Sequence, residues 1–73
     1  MNITLEVTVC CVNEDDNHVN FNFISEKNPE GWCLGPIKTD GITNPSVGQK
    51  IKIYGNWVND ASVQFQAAHI EQA

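Results

Sequence analysis

The chain has 73 residues and 8.1 kDa, with nine Asp and Glu against four Lys and no Arg, a net charge near −5 at neutral pH. A single domain of this size buries only about 60% of the surface that its unfolded chain exposes, so its large apolar side chains are needed for the core and leave little room for an enzyme cleft. The acidic balance, without the Arg fork that meets two phosphate oxygens at once, argues against tight non-specific binding to nucleic acid.

Residues 3–12, "ITLEVTVCCV", alternate with period two: Ile3, Leu5, Val7, Val9 and Cys11 share one face and Thr4, Glu6, Thr8 and Cys10 the other. That period and the β-branched content predict a half-buried strand. "NEDDN" at 13–17 reads as a charged turn, and "HVNFNFIS" at 18–25 as a second strand with Val19, Phe21 and Phe23 inward and Asn20 and Asn22 outward. The Asn-Pro and Gly of "EKNPEG" at 26–31 punctuate the next turn. A short third strand, "WCLG" at 32–35, is bounded by Gly31 and by Gly35-Pro36. "PIKTDGITNPSVGQ" at 36–49 has two Pro, two Gly and no sustained period, and reads as a long connection. The fourth strand, 50–58, places Ile51, Ile53 and Trp57 inward with Gly55 between them, where a strand glycine marks a bulge or tight bend. The fifth, 62–71, points Val63, Phe65 and Ala67 inward and Gln64 and Gln66 outward.

No stretch carries a helical period, an internal repeat or low complexity. Five short strands predict an all-β fold whose sheet bends and closes on itself, since closure removes exposed edges. A small five-stranded OB-like barrel fits the strand count and the long connection between strands three and four. An SH3-like barrel is the alternative.

The residues that carry chemistry are few. No apolar run reaches the ~20 residues that span a bilayer, and the N-terminus lacks the basic start and long apolar core of a signal peptide. Cys10, Cys11 and Cys33 are odd in number and two are adjacent, unlike a secreted disulfide framework, so a reducing cytoplasm is expected. They show no C-x-x-C spacing, His18 and His69 show no metal-ligand spacing, and alternation sends Cys10 and Cys11 to opposite faces; no metal and no cofactor are expected. Neither His has a Ser or Cys at a nucleophile motif, "EDD" at 14–16 reads as a solvated turn, and "GWCLG" at 31–35 lacks the Lys-Ser/Thr of a phosphate loop. A non-catalytic protein is expected.

What remains is a binding face. Asn20, Asn22, Lys50, Lys52, Tyr54, Gln64 and Gln66 point outward and form an amide-rich surface with one aromatic and two cations if strands two, four and five are neighbours. Trp32, ahead of the short third strand, adds a stacking candidate. Aromatic stacking in a cationic groove is how OB-folds hold single strands.

Three segments carry a resemblance: "NEDDNHVNFNFI" at 13–24, "PSVGQKIKIYGNWV" at 45–58 and "QFQAAHIE" at 64–71, with Gly55, Trp57, Gln64, Phe65 and Ala67 the most specific grouping. In order and spacing they resemble the N-terminal OB domain of RecD-like DNA helicases, an accessory module on a helicase motor. The resemblance implies an OB-like barrel and a non-catalytic accessory role in nucleic-acid transactions, with weak binding of single-stranded nucleic acid. The family's turn before the last strand carries Lys, Arg and Gly, whereas "NDAS" stands at 59–62 here, so the resemblance implies the barrel more firmly than the DNA contact. The second reading is an acidic protein-interaction module or inhibitor that docks on a basic surface of a nucleic-acid enzyme such as a helicase, polymerase or nuclease, with no membrane partner.

Overall fold

The computed structural model describes residues 2–14, 17–27, 30–39, 43–58, 60 and 62–73. Of the turns expected from sequence, Asp15 and Asp16, Asn28 and Pro29, residues 40–42, and Asn59 and Ala61 lie outside the described residues.

Five strands are formed: β1 (Ile3–Asn13), β2 (His18–Ile24), β3 (Gly31–Ile37), β4 (Lys50–Trp57) and β5 (Phe65–Gln72). They close into a barrel in the order β1-β2-β3-β5-β4, with no helix among the described residues. All neighbours are antiparallel except β3 and β5, which run parallel through Cys33↔Phe65 and Leu34↔Gln66. This order decides between the two barrels expected: the molecule is OB-like.

β1 makes the closure possible by serving two partners. Residues Ile3–Thr8 pair with β4, and Thr8–Asn13 pair with β2. A bulge between Val9 and Cys11 bends the strand from one partner towards the other. The bulge corrects two expectations. Cys11 is exposed, Val12 packs against the core beyond it, and Cys10 and Cys11 both face solvent instead of opposite sides.

The core is the inward row of every strand: Val7 and Val9, Val19, Phe21 and Phe23, Cys33, Ile51 and Ile53, Phe65 and Ala67. Ile3, Leu5, Val12 and Ile70 pack around it. Burial pushes the Cys33 thiol up to about 12, so it is inert as a nucleophile. Gly55 sits where β4 slips register against β5, and a Cβ there would lie 1.9 Å from the Gln66 carbonyl oxygen. The expected bend is real, and only glycine lets the two backbones approach so closely.

Three further expectations shift. β3 runs on through Gly35 and Pro36 instead of stopping there. β5 begins at Phe65, leaving Val63 half-buried ahead of it. Trp57 keeps its inward place in the alternation but lies at the open end of the barrel, where 46% of its surface is exposed.

Candidate nucleic-acid interface

The eight residues expected to form one binding face are divided by the strand order. Because β1 lies between β4 and β2, and β5 between β4 and β3, the outward side chains of β4 face away from those of β2 and β3.

On the β4 side, Lys50, Lys52 and Tyr54 alternate with buried Ile51 and Ile53 and therefore point outward, as expected. Their neighbours decide what they can do. Across β1, Thr8 stands beside Lys50, Glu6 beside Lys52 and Thr4 beside Tyr54; across β5, Glu71 stands beside Lys52 and His69 beside Tyr54. Lys52 thus lies between two carboxylates, which offset its charge. The Tyr54 hydroxyl donates to the Glu71 carboxylate, and its ring centroid is 5.4 Å from that of His69. His69 Nε2 lies 3.5 Å from the other Glu71 oxygen. The hydrogen bond from Tyr54 holds the Glu71 carboxyl below its usual range, helped by His69 and Lys52, and the same bond pushes the Tyr54 phenol up. The hydroxyl and one side of the ring are engaged, so this face lacks the free aromatic and excess cation that single-strand binding uses.

The other five residues gather on the outside of β2, β3 and the start of β5. Asn22 is in register with Trp32, and Asn20 with Leu34, which in turn faces Gln66. Asn22 is not presented to a ligand: it is only 7% exposed, and its Oδ1 accepts a 3.0 Å hydrogen bond from Asn13 Nδ2. Asn20 is half-buried and Gln66 exposed. Trp32 is 39% exposed and firmly held. Its backbone N–H donates to Gln64 Oε1 at 2.6 Å, while the Gln64 N–H donates to the Trp32 carbonyl at 3.1 Å. Val58 N–H donates to the Gln64 carbonyl at 2.8 Å, which ties the residue after Trp57 to the same anchor.

Gln64 therefore clamps the backbone at Trp32 and Val58, and the indoles of Trp32 and Trp57 lie at one end of the barrel. Exposed Ile24 adds apolar surface at this end, where β2 finishes, whereas exposed Ile37 lies at the far end of β3, in register with His18. Glu26 and Glu30 between β2 and β3, and Asp60 between β4 and β5, are exposed at the indole end, while Glu14 after β1 is exposed at the other, where β2 begins. Asp60 is held below the usual carboxylate range by the Ser62 backbone N–H and hydroxyl, each 2.8 Å away. The turns at which an OB-fold meets oligonucleotides, between strands one and two and between strands four and five, thus carry acid here.

Trp57 was missed as a surface residue because alternation reports the face and not the height along the barrel. Its place as the last residue of a strand, directly before the polar "NDAS", was the available signal. Glu6, His69 and Glu71 were missed because their bearing on Lys52 and Tyr54 depends on pairing between distant segments.

No family model matches the chain, and neither a curated protein nor a solved structure does. Among the described residues, no three His, Cys, Asp or Glu side chains gather where they could hold a metal ion, and no helix is long and apolar enough to cross a membrane.

Proposed function

We propose that the chain is a non-catalytic OB-like accessory module that docks on a basic protein surface, of the kind nucleic-acid enzymes such as helicases, polymerases and nucleases present, through the barrel end that carries Trp32 and Trp57. The observation that carries this reading is a pair of exposed indoles at one barrel end, on strands whose connecting turns bear Glu26, Glu30 and Asp60. Tryptophan anchors dominate protein interfaces, and a surrounding charge of one sign selects and steers the partner. A net charge of −5 supports the same choice.

The exposed indoles also favour a second reading, weak single-strand binding, because bases stack on any accessible aromatic ring. In that reading Trp32 and Trp57 replace Tyr54, Lys50 and Lys52 as the contact residues.

The test compares the native chain with the Trp32→Ala/Trp57→Ala double variant, both immobilised, for capture of partners from the host extract, beside titration of a labelled oligothymidine at low salt. Docking predicts a partner retained by the native chain, released by salt and absent from the variant. No partner above background counts against docking. Saturable oligonucleotide binding below about 100 µM, where non-specific binders register, establishes the second reading instead.

A further inference from the structure

The β1 strand has an open edge. Its first half pairs with β4 on one side, yet β2 joins its other side only from Thr8 onward. Val9 sets the direction of the backbone groups: its N–H donates to the Gln49 carbonyl and its carbonyl accepts from Gly48 N–H, both on the β4 side. Backbone direction alternates along an antiparallel ladder, so Val7, Leu5 and Ile3 also face β4. The N–H and C=O groups of Thr4 and Glu6 consequently point the other way, and no strand among the described residues pairs with them there.

A groove of about 640 Å³ runs along this edge, with Thr4–Thr8 on one side and Ile24, Ser25, Glu26 and Lys27 on the other. The stretch Thr4–Thr8 is about 13 Å long, so the groove forms a slot that matches a short extended segment of about five residues. Between Ile3 and Thr8 the edge carries no Pro and no bulge, and Glu6 is its one charged side chain, so a partner strand must answer that charge.

We propose that this slot receives one extended peptide segment of a partner protein, added as a strand antiparallel to the first half of β1. Charge argues against a second barrel, whose own open edge would bring another Glu6 to this one, where like charges oppose pairing. The groove also specifies the peptide. Residues directed inward meet half-buried Leu5 and are apolar. The outward residue opposite Glu6 is Lys or Arg, whose stem can lie on Ile24, exposed over 42% of its surface. Because Lys27 and Lys50 also line the groove, the remaining outward positions are uncharged, such as Thr. Backbone hydrogen bonds supply the attachment and the alternating side chains the selection. This inference does not rest on the Trp32–Trp57 surface and can fail or hold apart from it.

The probe is a fluorescein-labelled peptide Val-Thr-Val-Lys-Val-Thr-Val with blocked ends, titrated by anisotropy and by amide hydrogen exchange of the full chain. Saturable binding tighter than about 1 mM is expected, with the Thr4 and Glu6 amides exchanging at least tenfold more slowly in the complex. Replacing the threonine two residues after the lysine, which stands opposite Thr4, with proline removes a peptide N–H directed at β1 and abolishes binding. Replacing the lysine with glutamate weakens it severalfold on the native chain and restores it on Glu6→Lys. Glu6→Pro removes only an N–H on the open side, where a strand tolerates proline, so the barrel keeps its fold and loses the peptide. Binding that persists with the proline peptide, unchanged exchange at Thr4 and Glu6 in a saturated sample, or no saturation by 1 mM overturns the proposal. The exchange readout on the native chain decides even if Glu6→Pro fails to fold. Trp32→Ala/Trp57→Ala leaves peptide binding unchanged, which separates this site from the barrel-end surface.

Discussion

Trp57 stands edge-on to Phe65, with ring centroids 5.2 Å apart and planes at 88°, so one aromatic seals the core and the other covers it from outside. Phe65 is fully buried, while Trp57 also reaches Phe23 at 6.4 Å and remains half open to solvent. Phe65→Ala leaves a cavity and is expected to cost about 3–5 kcal/mol. Trp57→Ala loses mainly the edge-on contact and partial burial, about 1–2 kcal/mol. Urea unfolding of both variants checks this, and equal losses would mean that Trp57 belongs to the core.

Two glycines predict different costs for the same added methyl group. At Gly55 the new Cβ would also come within 2.8 Å of Ala67 Cα, so β4 and β5 must separate locally. Gly48 has φ +89° but nothing within 4 Å of an added Cβ, so Gly48→Ala meets backbone strain alone, of order 1–2 kcal/mol. Each kcal/mol lowers the melting temperature of a domain this small by roughly 4–8 °C. Gly55→Ala is expected to melt well below Gly48→Ala, and the reverse order would contradict the close approach of the two backbones.

The Tyr54–Glu71 hydrogen bond predicts opposite behaviour at the two ends of the pH scale. Glu71 titrates lower folded than unfolded, so its contribution is present above the ordinary carboxylate range and is lost as pH falls through the folded value. Tyr54 titrates higher folded than unfolded, so its contribution is present below about pH 10 and is lost as pH rises through the folded value. Tyr54→Phe removes the Tyr54 contribution and the largest part of that of Glu71, leaving the smaller pull of His69 and Lys52. The stability difference between native and variant chains should be flat near neutral pH and shrink towards acid and alkali, with the Glu71 carboxyl returning towards its ordinary range by NMR titration. A Glu71 titration unmoved by the substitution would show that Tyr54 does not hold it.

Thiol accessibility offers a simple check on the β1 bulge. Cys10 and Cys11 are exposed and Cys33 is buried. An aromatic disulfide reagent should label the two adjacent thiols of the native chain quickly and Cys33 only on unfolding. Rapid labelling of just one, as strict alternation through residues 3–12 demands, would remove the bulge.

What could be read from sequence followed from how local each signal is. The strands were legible because β-branched and aromatic residues alternate with polar ones, and Val19, Phe21, Phe23, Ile51, Ile53 and Phe65 all face the core as that period requires. The bulge was not, because "TVCCV" continues the alternation and has no glycine to mark it. The site divided for a related reason: register between distant segments, absent from any local pattern, sets Glu6 and Glu71 beside Lys52 and places β1 between β4 and β2. Trp32 and Gln64 were both named as contacts, but only the fold reveals that one holds the other in place.

The parallel join between β3 and β5 consists of two registered pairs and is extended by the paired hydrogen bonds between Trp32 and Gln64. It is the shortest seam in the ring, and so the natural place for the ring to part during local opening. A ligand that grips Trp32 only when this clasp is fastened would draw the whole chain towards its closed form by mass action. Occupancy at one end would then be legible as slower hydrogen exchange across the seam, and an association would be recorded in the endurance of the fold itself.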